Sequence, residues 1–240
     1  MATPPLKDYL NLARLDGRSY VVLGAGGGGL GDATCAALAG AGAHLLCVDR
    51  TEEQAKAIAA EVGGEPFVAD VTRRDDMTAV FERARSSMGD RFVGVVDIVG
   101  MAKNARIEEM DDDAIEQQFA IVLRHAVLTV QIAGPMLGRT GGGTLTFVGS
   151  LSGMTAIPNQ TFYGIAKASL HHLVRYAAQE FGPQGVRVNG VAPGFISTPR
   201  LRSLLPQEMW DKLAATNPLG RVATPDDIAY TLSLHDALPI

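Results

Sequence analysis

From about residue 19 onward, short apolar runs alternate with longer stretches in which apolar residues recur every three or four positions. The apolar runs at residues 19–23, 43–48, 66–69, 92–99, 144–149 and 186–191 have strand length, and the stretches at 32–41, 51–62, 75–88, 111–136 and 162–181 carry the helical period. Thr51 before the second helical stretch and Gly63-Gly64 after it are start and stop signals. Strand runs two and four are apolar almost throughout, as strands buried on both faces must be. Strands that alternate with helices imply parallel β-α-β units with right-handed crossovers. The pattern predicts an α/β fold, a Rossmann-type doubly wound parallel sheet with helices on both faces. No repeat or linker divides the chain, so a single Rossmann-type domain over residues 1–229 is expected.

Composition narrows the function. With 47% hydrophobic and 20% charged residues, the chain is an ordinary globular one, and its net charge of −5 argues against a general nucleic-acid binder. No uninterrupted apolar run is long enough to span a bilayer. Residues 1–10 include Pro4, Pro5, Lys7 and Asp8 and lack the apolar centre of a secretory peptide. A cytoplasmic protein without a membrane partner is the expectation. Cys35 and Cys47 each sit in an apolar stretch and are expected as small buried thiols. The acidic run at 108–113 is expected as the solvated start of a long helix, where carboxylates suit the dipole. His171 and His172 are adjacent on a helix, point in different directions and define no metal site.

Chemistry is concentrated at two places. Between the first strand and first helix lie Gly24, Gly26, Gly27, Gly28, Gly29 and Gly31. Such a turn lets backbone N–H groups approach a pyrophosphate at the helix N-terminus. The second strand ends in Asp49, 18 residues after Gly31 (49 − 31). A carboxylate there hydrogen-bonds a ribose 2′-hydroxyl and repels a 2′-phosphate, which favours NAD over NADP, although Arg50 could meet a phosphate. Asp70 and Val71 close the third strand on the side where adenine would lie.

The second place is the fifth strand and the helix after it. Tyr163 and Lys167 are four apart on a helical stretch, so both side chains share one face. An ammonium beside a phenol favours the phenolate and is expected to lower its pKa from about 10 toward neutrality. A tyrosine so tuned can give a proton to a carbonyl oxygen or take one from an alcohol. Ser150, 13 residues before Tyr163 (163 − 150), ends the fifth strand, at the sheet edge where open α/β folds bind ligands. Ser152 competes with it for the same role.

Taken in order, the glycine turn, Asp49, Asp70-Val71, Ser150, Tyr163, Lys167 and the segment Pro193-Gly194-Phe195-Ile196-Ser197-Thr198 resemble a short-chain dehydrogenase/reductase. The resemblance covers residues of about 15 to 229. It implies reversible hydride transfer between a nicotinamide and a secondary alcohol or ketone. Ser150 would orient the oxygen, Tyr163 would act as general acid/base, and Lys167 would tune Tyr163 and hold the nicotinamide ribose. Gly24, Gly28, Gly29, Leu30, Gly31, Asp49, Arg50, Asp70, Val71, Gly100, Pro193, Gly194, Ile196 and Thr198 would line the cofactor with Tyr163 and Lys167. The family pattern also implies a small carbonyl or alcohol substrate and, for the intact parent, a homo-oligomer whose subunit interface is built largely by the C-terminal part.

Four departures from that pattern matter. The family's Thr-Gly-x-x-x-Gly-x-Gly is one residue longer here, ending Gly29-Leu30-Gly31, which predicts a looser turn. Asp97-Ile98-Val99-Gly100 stands where the family has Asn-Asn-Ala-Gly. Val122, 28 residues before Ser150, occupies the position of an asparagine thought to hold a relay water, with His125 one turn on as its possible substitute. Residues 230–240 resemble one reading frame of a sequencing-library adapter, which points to a non-native tail, a truncated C-terminus and a missing seventh strand. These departures leave a non-catalytic nucleotide binder, or an inactive fragment of an active parent, as the alternative. Residues 197–217 are expected as a substrate lid with Leu201, Leu204, Leu205, Met209 and Trp210 on its apolar face, and Met101 and Met154 as pocket wall.

Overall fold

The computed structural model describes residues 13–237, with side-chain surroundings given through Leu232. Six strands, β1 (Ser19–Leu23), β2 (His44–Asp49), β3 (Glu65–Val68), β4 (Phe92–Asp97), β5 (Gly143–Val148) and β6 (Val186–Val191), form one parallel sheet in the order β3-β2-β1-β4-β5-β6. The order reverses between β1 and β4, so the crevice beyond their C-terminal ends is the topological switch point where such sheets take ligands. All five residues of β1 are buried, and β2, β4 and β5 are buried along most of their length, as central parallel strands require. Among the described residues β6 is a sheet edge.

The helices are α1 (Leu30–Gly40), α2 (Glu52–Val62), α3 (Arg74–Met88), α4 (Asp112–Phe119), α5 (His125–Arg139), α6 (Thr161–Phe181), α7 (Pro199–Leu204), α8 (Gln207–Thr216) and α9 (Pro225–Ala237). On one face of the sheet α3, α5 and α6 pack Met77, Phe81, Leu128, Leu137, Leu170 and Phe181 against Val95 and Phe147. On the other, α1, α2 and α9 pack Cys35, Leu38, Ile58 and Leu232 against Tyr20, Val22 and Val96. The central strands β1, β2, β4 and β5 therefore alternate their side chains between two apolar layers. Cys35 and Cys47 are buried free thiols in the second layer.

Local signals explain the boundaries. Thr51 caps α2 by accepting from Gln54 N, and Gly63 ends it in the left-handed conformation at φ 65°. Asp111 caps α4 through Ala114 N, with Asp112 and Asp113 in the first turn, so this half of the acidic run is a helix start, whereas Glu108 and Glu109 lie in a separate 3-10 turn, Ile107–Glu109. Thr224 and Asp227 cap each other's backbone at the start of α9. The tail residues 230–237 lie in α9, where Leu232 is fully buried; residues 238–240 and the stretch 1–10 fall outside the described residues.

One element departs from the expected pattern. The single helix expected over 111–136 is α4, a π-helical turn (Ala120–Arg124) and α5. The π-turn inserts an extra residue into the helical ladder, and such bulges recur at functional sites. Asp112–Arg139 taken together is long and apolar enough to cross a membrane, which a search for uninterrupted apolar runs passes over, and half of its most apolar window is buried inside the domain.

Candidate active site

The glycine turn follows β1. Its extra residue is absorbed by three successive glycines with positive φ, Gly27 at 90°, Gly28 at 80° and Gly29 at 91°, a run that side-chain-bearing residues would not sustain. The turn is tied down, which corrects the expectation of looseness. Gly26 N donates to Asp49 Oδ2 at 3.0 Å, Gly28 N donates to Asp32 Oδ1 at 3.2 Å, and a Cβ on Gly26 would stand 2.7 Å from Gln54 O. A Cβ on Gly31 would lie 2.4 Å from Gly24 O, so only glycine lets α1 start this close to β1. Gly28 faces open space, which leaves a cradle for a phosphate at the start of α1. Asp32, in the first turn of α1, was not foreseen as part of this cradle, and burial raises its carboxyl above the ordinary range.

The other cofactor candidates surround this turn. Asp49 ends β2 and also accepts from Arg50 N at 2.7 Å. Asp70 is committed to its own loop, where Oδ1 accepts from Thr72 N at 3.0 Å and Thr72 Oγ1 at 2.6 Å; that bond, first among its causes, lowers its carboxyl. Val71 is buried beside it. Across the cleft, Thr198 caps α7 by accepting from Leu201 N, and a Cβ on Gly29 would touch its Cγ2 at 3.2 Å. Ile196 pairs with Ala223, and Pro193 O accepts from Leu151 N at 2.8 Å. The turn after β1 and the segment after β6 thus approach each other at Gly29 and Thr198.

At the catalytic end, Ser150 follows β5 and Tyr163 lies in the first turn of α6, with Lys167 one turn later. Ser150 and Tyr163 are hydrogen-bonded through their side chains. Ser150 N donates to His171 Nε2 at 3.3 Å, and Ser150 Oγ accepts from Ser152 N at 3.1 Å. Ser152 is buried with its hydroxyl donating to Gln160 Oε1 at 2.6 Å, which removes it as a competitor. Lys167 is 1% exposed; its Nζ donates to Val148 O at 2.6 Å and stands 5.7 Å from the Tyr163 ring centre. A Cβ on Gly100 would meet Nζ at 2.9 Å, so this glycine gives the ammonium its room. Gln118, 2% exposed, accepts from Lys103 N and donates to Met101 O, fixing the loop after β4.

The electrostatics differ from the expected ones. Burial raises the Tyr163 phenol above its ordinary value and the bond to Ser150 opposes this, so lowering toward neutrality is not the direction in this state. Burial pushes Lys167 down to about 8, with the charge of Asp97 acting the other way. His171 is lowered by burial, then by the charges of Lys167 and Arg175.

The remaining candidates separate. His171 faces Ser150 while His172 packs edge-on against Tyr176, with ring centres 4.9 Å apart. Val122 is buried in the π-turn, and His125 follows it, fully enclosed with Nδ1 2.8 Å from Asp97 Oδ2. The expected apolar face of residues 197–217 is split: Trp210 is buried, whereas Leu204 and Met209 are exposed, as are Met101 and Met154. Sequence reasoning does not find Asp32, Gln54 or Gln118, and finds Asp97 only as a departure from the family pattern and His171 only as half of a discarded metal pair, because each acts through a contact with no local sequence signature.

Comparison with known proteins gives this arrangement its context. The family model described as enoyl-(acyl carrier protein) reductase matches residues 24–234. The chain is 29% identical over 224 residues to 3-oxoacyl-(acyl-carrier-protein) reductase FabG of Thermotoga maritima, covering 91% of this chain and 90% of that one. It is 31% identical over 229 residues to the L-tagatose-forming galactitol 2-dehydrogenase of Cereibacter sphaeroides, covering 92% and 89%. A solved 7α-hydroxysteroid dehydrogenase in complex with NADH and 7-oxo glycochenodeoxycholic acid superposes with a TM-score of 0.89 at 27% identity, over 96% of this chain and 91% of that one.

Proposed function

The chain belongs to the short-chain dehydrogenase/reductase family, an oxidoreductase group working on alcohols and ketones with a nicotinamide cofactor, and from that premise we propose an NAD-preferring enzyme in which Tyr163 exchanges the proton. The observation that carries this reading is the meeting of Ser150, Tyr163 and Lys167 at the C-terminal ends of β4 and β5, beside a glycine cradle. A protein that only binds nucleotides needs no serine bonded to that tyrosine.

The residues fit a dinucleotide. Gly28, Gly29 and Leu30 offer backbone N–H groups at the start of α1, Asp49 stands where a ribose hydroxyl would be recognised, and Thr198 closes the opposite wall. Gly24, Gly31, Arg50, Asp70, Val71, Gly100, Pro193, Gly194 and Ile196 complete the lining. The cofactor, when bound, supplies or takes up the hydride. Ser150 Oγ donates to the substrate oxygen and holds it against Tyr163. In reduction Tyr163 Oη gives its proton to that oxygen; in oxidation it takes the proton from the alcohol. Lys167, charged and buried, favours the phenolate that remains. Asp49 favours NAD because a 2′-phosphate would meet its charge.

The substrates named for the relatives define three classes to try: a 3-oxoacyl thioester, a 7-oxo bile acid and a ketohexose. The exposed Met101, Met154, Phe195 and Leu204 favour the first two, since apolar walls suit acyl and steroid surfaces. We place the enzyme in the cytoplasm, as one domain spanning residues 1–229 whose intact parent is a homo-oligomer. The test is oxidation of NADH and of NADPH with each ketone, with Tyr163→Phe alongside. Turnover with one ketone that disappears in Tyr163→Phe supports the reading; full turnover in that variant would sink it.

A further inference from the structure

Behind Lys167 lies a buried polar cluster that the reaction as described does not use. Asp97, the last residue of β4, is 1% exposed, and His125 and Thr129 on α5 are as deeply enclosed. Asp97 Oδ2 accepts from His125 Nδ1 at 2.8 Å and from Thr129 Oγ1 at 3.3 Å, while Oδ1 accepts from Val99 N at 3.2 Å. Because a carboxylate only accepts, Nδ1 carries the imidazole hydrogen toward it. His125 Nε2 is buried and has no partner among the described residues.

The topology puts this cluster next to Lys167. Asp97 is in register with Phe147, one residue before the Val148 carbonyl that holds the ammonium. Three residues after Asp97, Gly100 packs against Nζ. The π-turn that delivers His125 packs against α6, the helix carrying Tyr163 and Lys167. In a continuous α-helix the residues after Val122 would be rotated by the width of one residue, so the π-turn sets where His125 points. Among the described residues, the charge of Asp97 from β4 acts on the ammonium, the Tyr163 ring centre on α6 is 5.7 Å from it, His171 on α6 senses its charge, and His125 from α5 reaches it through Asp97. Asp97 supplies the negative charge among them, and a buried cation needs one.

We propose that Asp97, positioned by His125 and Thr129, keeps Lys167 charged, and that this trio does the work behind the lysine at the place where Val122 offers no hydrogen bond. His125 and Asp97 are positioning residues: they act on Lys167 and touch no reacting atom. A purely structural role would leave the lysine's protonation unmoved. The consequence for the proposed reaction rests on the reading of Tyr163 and Lys167 given above, but the test does not.

The experiment reads Lys167 directly in the free protein. Lysine carrying 13C at its ε-carbon is incorporated, Lys167 is assigned with Lys167→Arg, and its chemical shift is followed against pH by NMR. The chain has five lysines, so the spectrum is sparse. Asp97→Asn should lower the Lys167 pKa by about one unit, since it removes an opposite charge at close range. His125→Phe, which takes away the donor orienting Asp97, should lower it by a similar amount, and His125→Asn, whose amide can reach Asp97 from the Nδ1 position, should restore most of the wild-type value. If Asp97→Asn does not fold, the two His125 variants carry the comparison. A Lys167 titration unchanged in folded Asp97→Asn, or equal in His125→Phe and wild type, overturns the proposal. Loss of activity in Tyr163→Phe, together with a Lys167 titration unmoved in folded Asp97→Asn, would leave the reaction standing and this inference fallen.

Discussion

The two ends of the cleft are made of different material. The cofactor end is built from backbone: Gly26, Gly28 and Gly29 shape a turn whose contacts are N–H groups and the absence of side chains. The catalytic end is built from side chains buried against one another: Ser150 on Tyr163, Lys167 on the Val148 carbonyl, and Asp97 on His125 behind them. The first end tolerates an inserted residue because consecutive glycines can take left-handed conformations. The second buries Val122 where the family pattern has a polar residue, with the Asp97–His125–Thr129 cluster nearby. A backbone site breaks when atoms are added, and a side-chain site breaks when atoms are removed.

The contrast is tested first where removal should matter most. Tyr163→Phe deletes one oxygen, and kcat with the responsive ketone should fall by ~10³ or more, the range of a lost general acid. NADH binding and thermal stability should stay near wild type, measured by fluorescence titration and calorimetry. At the backbone end, Gly31→Ala adds one carbon 2.4 Å from Gly24 O and 2.6 Å from Ala25 O. Neither backbone oxygen can move away cheaply, so a loss of ~3 kcal/mol is expected, seen as a Tm lower by roughly 10 °C. A Gly31→Ala protein as stable as wild type would show that the turn yields, and the contrast would fail at its structural end.

How much of this was legible in the sequence follows the same division. Tyr163 and Lys167 announce themselves because helical spacing alone puts them on one face. The strands are read within a residue or two, since burial on both faces leaves unbroken apolar runs such as Val21-Val22-Leu23. The glycine cluster points to a phosphate turn, but not to the tether from Asp32 and Asp49 that holds its longer form. The break in the helix over 111–136 is silent, because the π-turn residues Ala120-Ile121-Val122-Leu123-Arg124 carry no Pro or Gly to mark it. Asp97 is silent for another reason: its partners lie 28 and 32 residues away, and only the fold brings them together.

A smaller effect separates the ends by pH. Folded Lys167 releases its proton near 8, against an ordinary value of 10.5, because burial disfavours the ammonium. Between those values the unfolded chain binds more protons than the folded one, so stability rises with pH across that window. Over the full window the gain is ~3 kcal/mol. Urea unfolding of wild type and Lys167→Met at several pH values should show the wild type gaining relative to the variant from pH 8 to 10.5, and little relative change from pH 6 to 8. Equal pH dependence in the two proteins would mean that the ammonium is solvated.

The smallest expected change tests the point where the backbone end borrows a side chain. Asp49 Oδ2 accepts from Gly26 N, and in the proposed function its charge also meets the ribose 2′-substituent. Asp49→Asn separates them, since the amide oxygen can still accept from Gly26 N while the charge is gone. The ratio of kcat/KM for NADPH over NADH should rise ~10-fold, the effect of removing one like charge from a 2′-phosphate, with Tm nearly unchanged. Asp49→Ala removes both and should show the same change in ratio together with a Tm lower by a few degrees, as the turn loses one hydrogen bond of ~1 kcal/mol. If the ratio stays put in both variants, Asp49 serves the turn alone, and cofactor choice lies with Arg50 or with the cradle itself. The glycine end would then be backbone throughout, and the contrast with the catalytic end would be sharper than drawn.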